Sequence, residues 1–191
     1  MDLKGHLSTI SEHRREVRRI CFRLGLFYQG LTHDLSKYSP TEFLVGIKYY
    51  QGFRSPNNAE REDKGYSESW MHHKGRNKHH FEYWTDYSET ATGQIVSVHM
   101  PNRYLAEMYA DRVAASKIYN KGKFTYDMPL NYFLKGGAKT FVEEKTSQDL
   151  EMLLRMLAEK GPAVTEHYIR TVILKGRLGS KIAECKFGSR R

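Results

Sequence analysis

Apolar residues recur at three- and four-residue steps along most of the chain, which predicts helices rather than strands. His6, Ile10, His13, Val17, Ile20 and Leu24 form one stripe. Arg14, Arg15, Arg18 and Arg19 fall largely outside it, so this segment reads as an amphipathic helix with His13 on its buried face. "GLFYQGLTHDLSKYS" reads as a short second helix ending near His33 and Asp34. Ser39-Pro40-Thr41-Glu42 then supplies a start signal: a capping serine, proline at the first helical position, and glutamate three residues after the cap. A third helix follows through Phe43, Leu44, Ile47 and Tyr50.

The pattern then weakens. "QGFRSPNNAEREDKGYS" reads as a polar connection and "YSESWMHHK" as one or two helical turns. Gly75 and Asn77 disfavour a regular helix beyond it. "HFEYWTDYSETATGQIVSV" fits helix, loop or short strand equally. Periodicity returns after Pro101, where Tyr104, Met108, Asp111, Ala115 and Ile118 share a face. "DMPLNYFLKGG" predicts a helix stopped by Gly136 and Gly137. A longer one opens on a Thr146 or Ser147 cap, and Pro162 restarts a last helix through Tyr168 and Ile173. The expectation is one all-α domain over residues 1–175, with a basic tail over 176–191.

Composition narrows the partners. The net charge of +9, with a pI near 9.5, favours polyanions: nucleotides, nucleic acid or an anionic surface. General surface solvation explains the same charge without any partner. Two distant cysteines, Cys21 and Cys185, make no disulfide framework; with no bilayer-length apolar run and no signal-peptide pattern, a cytoplasmic protein is expected.

The candidate chemistry is a set of metal-type ligands. Four of the nine histidines, His72, His73, His79 and His80, crowd into "HHKGRNKHH". His13 lies in the first helix, His33 and Asp34 are adjacent, and Asp111 sits on the face shared with Met108 and Ala115. A buried carboxylate needs a cation or several donors, so Asp111 requires a metal or an arginine. Taken singly, His13 reads more readily as a hydrogen-bonded core histidine than as a ligand, and Asp111 as an ion-pair partner. Lys37, three residues after Asp34, adds a cation beside the adjacent pair.

In order, His13, His33-Asp34 and Asp111 resemble the His…His-Asp…Asp signature of the HD-domain metal-dependent phosphohydrolases. "HDLSK" and "HHFE" are similar to the branch with additional histidines, which includes HD-GYP phosphodiesterases, and "YLAEMYADRVAA" is similar to its last-ligand helix. The likeness is greater still to small bacterial and phage members of the superfamily, and it spans roughly residues 6–120. No "GYP" triplet follows His80, so cyclic-dinucleotide hydrolysis itself is not implied.

The resemblance implies a helical HD-like bundle with additional C-terminal helices over 127–175. It implies divalent transition metals (Mn, Fe, Co, Ni or Zn, with Mg possible), two in number, bridged by Asp34. His13, His33 and Asp111 would complete one site, and His73, His79 and His80 the other, with His72 an alternative to His73. It leaves open which member of each histidine pair points inward. A metal-held hydroxide would attack phosphorus in a nucleotide or related phosphate ester, with Lys37 holding a phosphoryl oxygen. Lys74, Arg76, Lys78 and Arg103 are further candidates for phosphate contact, and Tyr83 and Trp84 for stacking on a base. Each also reads as an ordinary surface or core residue. The alternatives are a di-iron oxygenase on the same scaffold, and a non-catalytic nucleotide or nucleic-acid binding protein.

Overall fold

The computed structural model describes residues 2–90 and 92–175. The predicted stripe becomes the inner face of α1 (Leu3–Leu24), with His6, Ile10, Val17, Ile20 and Leu24 buried. The Asp2 carboxylate accepts from the Gly5 amide at its start, and Gly25 ends it at φ 79°, a conformation that glycine adopts without a Cβ clash. α2 (Phe27–Thr32) stops before His33, which leaves His33 and Asp34 in a tight turn ahead of a 3-10 segment, Leu35–Tyr38. α3 (Pro40–Tyr49) begins at the predicted Ser39 cap.

The polar connection contains a helix the pattern conceals, α4 (Pro56–Lys64). Only Ala59 and Glu60 of this helix are buried, so it has almost no apolar stripe. Its inward contact is polar: Glu60 accepts from Ser67 at 2.6 Å and from Lys64 at 3.2 Å. α5 (Glu68–Lys74) carries His72 and His73, capped by Ser67. The ambiguous stretch resolves into a small antiparallel hairpin, β1 (Thr85–Tyr87) with β2 (Ile95–Ser97), Thr85 opposite Ser97.

α6 (Asn102–Tyr119) runs antiparallel to α1: Glu12 pairs with Lys121 and, one turn on, Glu16 with Lys117. α7 (Met128–Lys135) and α8 (Glu144–Tyr168) follow. α8 starts two residues before the expected cap. The Glu143 carboxylate accepts from the amides of Lys145 and Thr146, and Thr146 and Ser147 are buried in the first turn. Gly161, at φ 76° and ψ 175°, kinks the helix before Pro162, and a π-helical turn, Ile169–Ile173, ends it. The basic tail and Cys185 lie outside the described residues.

The architecture is all-α apart from the hairpin. One core joins Val17, Ile20, Cys21 and Leu24 of α1 to Leu105, Tyr109 and Val113 of α6 and to Leu150, Leu153, Leu154 and Leu157 of α8. The C-terminal helices therefore share the core of the N-terminal ones. Arg23 reinforces this with a two-pronged pair to Glu166 at 2.6 and 2.7 Å. Burial pushes the Cys21 thiol up to about 12, which suits a packing role. No helix among the described residues is long and apolar enough to cross a membrane.

Candidate metal centre

The centre is organised by Asp34. Among the described residues it is the one non-glycine with positive φ (φ 55°, ψ 27°), and it is 1% exposed. Aspartate tolerates this left-handed conformation better than most side chains, and such backbone strain is concentrated at functional sites. The turn points the two carboxylate oxygens at different partners. Oδ2 lies 3.5 Å from His33 Nε2, 3.8 Å from His13 Nε2 and 3.4 Å from Lys37 Nζ. Oδ1 lies 3.3 Å from His73 Nε2 and 3.4 Å from His79 Nε2.

Antiparallel packing of α1 on α6 brings Asp111 to the first of these groups. Asp111 Oδ1 is 3.0 Å from His13 Nε2 and 3.6 Å from His33 Nε2. Besides a trio of His33, His79 and Glu107, two groups of donor atoms that share Asp34 result, each spanning no more than 4.8 Å: His13, His33, Asp34 and Asp111; and Asp34, His73, His79 and His80. Either group could hold a metal ion. Imidazole and carboxylate without thiolate suit divalent transition metals.

The donors pass a further test of fit. Asp34 Oδ1, His79 Nε2 and His80 Nε2 are buried without a hydrogen-bond partner, three of seven such atoms among the described residues. Each unsatisfied buried polar atom costs about 1–3 kcal/mol, so three at one spot need a reason, and a cation held among them would satisfy all three.

Behind the donors stand two carboxylates. Glu107 Oε1 accepts from His33 Nδ1 at 3.0 Å and faces His79 Nδ1 at 3.2 Å. Glu42 accepts from His73 Nδ1 through one oxygen and from His72 Nδ1 through the other, both at 2.7 Å. A carboxylate on Nδ1 fixes the tautomer in which Nε2 presents its lone pair to a metal and makes the ring a better donor. Asn77 completes the frame, donating to the His73 carbonyl at 2.8 Å and to Ser36 Oγ at 2.7 Å.

Charge inside the site is strongly coupled. Burial opposes the charge on His33, but Asp34, Asp111 and Glu107 outweigh it and raise the imidazole to about 10. Burial likewise opposes ionisation of Asp34 and Asp111. The surrounding histidines, with Lys37 beside Asp34, nevertheless hold both well below the usual carboxylate range. Burial, joined by repulsion from His79 and His73, pushes His80 well below the ordinary imidazole value. A neutral buried imidazole is the form a metal takes.

The seven sequence-predicted ligands His13, His33, Asp34, His73, His79, His80 and Asp111 thus converge. His72 does not: its ring turns to Glu42 and belongs to neither donor group. Among the predicted cations only Lys37 reaches the Asp34 carboxylate. Lys74 sits at the end of α5, and exposed Arg76 donates to the His72 carbonyl. Lys78 lies over the rings of Tyr83 and Tyr104, and Arg103 over Tyr104. Trp84 donates to the Lys78 carbonyl and packs on Tyr104. Lys78, Tyr83, Trp84, Arg103 and Tyr104 thus contact one another. His6 is buried against Phe43 and Tyr50, His99 binds Glu143, and His167 is exposed on α8.

A family model described as a family of unknown function (DUF5662) matches residues 2–159. The chain belongs to that family. No curated protein and no solved structure matches the chain. In this DUF5662 protein the matched segment contains both donor groups and both outer carboxylates.

Sequence reading missed Glu42 and Glu107. Glu107 lies one turn before Asp111, so helical spacing could have found it. Glu42 was accounted for as a capping-box residue. Its amide does meet Ser39 Oγ, at 3.4 Å, but its carboxylate turns inward to the histidines.

Proposed function

We propose that this DUF5662 protein is a metal-dependent phosphohydrolase or phosphodiesterase acting on a nucleotide or related phosphate ester. One observation carries the reading: the two oxygens of the buried Asp34 carboxylate face two separate donor groups. His13, His33, Asp34 and Asp111 would hold one divalent ion, and Asp34, His73, His79 and His80 a second. Manganese, iron, cobalt, nickel and zinc suit these donors, with magnesium a weaker match. Bound there, such ions would acidify water and neutralise charge developing on a phosphoryl group.

The chain's own residues would do the rest. Lys37 stands 3.4 Å from Asp34 Oδ2 with its side chain 26% exposed, so it can face both the centre and a ligand. Burial opposes its charge, but Asp34 keeps the ammonium protonated, which suits holding a phosphoryl oxygen or a leaving group. Glu107 and Glu42 orient the imidazoles. The overall +9 charge favours approach of an anionic substrate. The likeness of "HDLSK" and the flanking ligands to HD-domain phosphohydrolases agrees with this assignment.

The test is elemental analysis of the purified protein, followed by a phosphoester panel with each metal added to stripped protein. Metal-dependent phosphate release from at least one ester is expected. The same donors also suit a di-iron oxygenase; oxygen consumption with an iron spectroscopic signature and no phosphate release would replace the hydrolase reading with that one. Nucleotide binding that survives both chelation and Asp34→Ala, with no turnover, would point to a binding protein.

A further inference from the structure

On the α1–α2 face a cavity of about 220 Å³ is lined by Ser11, Arg14, Arg15, Arg18, Gly30 and Tyr38. That is room enough for several waters or a small anion. None of these residues belongs to either metal-type donor group. Three guanidinium groups within two turns of one helix repel one another unless an anion lies among them.

No carboxylate of the helix makes a close pair with these three arginines, although Arg15 lies near enough to Glu12 to favour its charge. Glu12 is committed to Lys121 and Ser8, and Glu16 to Lys117 and Arg19. Arg15 and Arg18 are exposed and carry no ion pair among the described residues.

Arg14 is held rigidly. Its Nε donates to the His33 carbonyl at 2.8 Å, Nη2 to the Leu31 carbonyl at 3.2 Å and Nη1 to the Tyr38 hydroxyl at 3.2 Å. Its plane also lies 5.1 Å from the Tyr38 ring centre. A guanidinium has five N–H groups, so two remain for a ligand, and Tyr38, accepting from Arg14, still has its own proton to donate. A fixed fork, a hydroxyl donor and two adjacent guanidinium groups match the geometry of phosphate oxygens.

We propose that this cavity binds a phosphate-bearing anion at a site separate from the metal centre, joined to it through Arg14 and the backbone of His33. The site is independent of the hydrolase reading and is tested without metal. Inorganic pyrophosphate is titrated calorimetrically into the metal-stripped full-length protein, then into an Arg15→Ala/Arg18→Ala variant. Both residues are exposed, so the variant should fold, and an unchanged melting temperature verifies it.

Binding is expected in the parent, weakening as salt is raised, with affinity at least tenfold lower in the variant. Hydrogen exchange at the amides of residues 31–35 should slow when pyrophosphate is added to the parent, and not in the variant. No binding to metal-stripped protein, or equal binding by parent and variant, overturns the site. Binding that leaves exchange at 31–35 unchanged overturns the link to His33.

Discussion

Nδ1 of His73 donates to Glu42 at 2.7 Å, while the opposite nitrogen of the same ring faces Asp34 at 3.3 Å. Glu42 therefore decides which nitrogen of His73 is available, although it makes no contact with the donor space itself. Removing such an outer carboxylate typically costs 10–100-fold in metal affinity. Glu42→Ala should show a loss of about that size at the second donor group, measured by titrating metal into chelator-stripped protein. Glu42→Gln should fall between, because its amide keeps one acceptor oxygen for two ring N–H donors. Parent-like affinity in both variants would mean that Glu42 is structural only.

Asp34 belongs to both donor groups, so its charge matters to both. Asparagine tolerates the left-handed backbone at this position, so Asp34→Asn changes charge with little change in backbone preference. Metal that binds only folded protein raises its melting temperature. The parent should melt higher with metal than with chelator, and in Asp34→Asn that gap should close. Circular dichroism before and after chelation checks that the variant remains helical. A gap as large as the parent's would refute a bridging role for Asp34.

The predicted pH response follows from His33. Its folded value of about 10 lies above the ordinary 6.5, because Asp34, Asp111 and Glu107 outweigh burial. A raised histidine stabilises the fold fully below pH 6.5, and that contribution is lost as pH rises through about 10. The carboxylates have the opposite sense: Asp34 and Asp111 are depressed, so their contribution is present above the usual carboxylate range and lost in acid. Metal-stripped protein should therefore lose stability between pH 6.5 and 10, measured by urea unfolding. Metal-loaded protein should lose less over that window, because a ligating imidazole is already neutral. Equal slopes with and without metal would count against His33 as a ligand.

How much of this was legible in the chain depended on what kind of contact each element makes. α1 and α6 bury apolar stripes, and a stripe survives in sequence as a period. α4 buries Ala59 and Glu60, and a buried glutamate held by Ser67 and Lys64 looks like surface until the fold is known. The convergence of these seven donor side chains was readable because their order carries a likeness beyond any single residue. The inward choice within each histidine pair was not, because it depends on geometry: α5 turns His73 toward Asp34 and His72 toward the outer face of Glu42. His79 and His80 both point inward because the chain leaves helix before them, freeing adjacent side chains from the helical angle. Lys74, Arg76, Lys78 and Arg103 carry no such marker, since a cation in sequence does not reveal which way it faces.

Lys37 offers a sharper kinetic test. It pairs with Asp34 without being a metal-type donor, so its removal should spare metal content. Deleting a group that stabilises charge developing in a transition state typically costs 10²–10³ in kcat. Lys37→Ala should show a loss of about that size in phosphoester turnover, at metal stoichiometry equal to the parent's. Lys37→Arg should recover part of it. A variant that loses metal and activity together would assign Lys37 to holding Asp34 rather than to substrate.

Gly46 tests whether His6 belongs to the scaffold or to the site. A Cβ at Gly46 would lie 2.1 Å from His6 Nε2 and 2.4 Å from Cε1, so the ring would have to move. It has little room, being 7% exposed and flanked by Phe43 and Tyr50 with ring centres 5.6 Å away. Overpacking of this kind costs about 1–3 kcal/mol, against about 1 kcal/mol gained by replacing a helical glycine with alanine. Gly46→Ala should therefore be destabilised by up to about 2 kcal/mol in urea unfolding. In the His6→Ala background the clash is gone, so the same substitution should be neutral or stabilising. That sign change is the signature of direct contact, and a double-mutant cycle isolates it. His6→Ala alone should leave metal stoichiometry unchanged, because the ring belongs to neither donor group. Loss of bound metal in that single variant would move His6 from the α1–α3 packing into the centre itself.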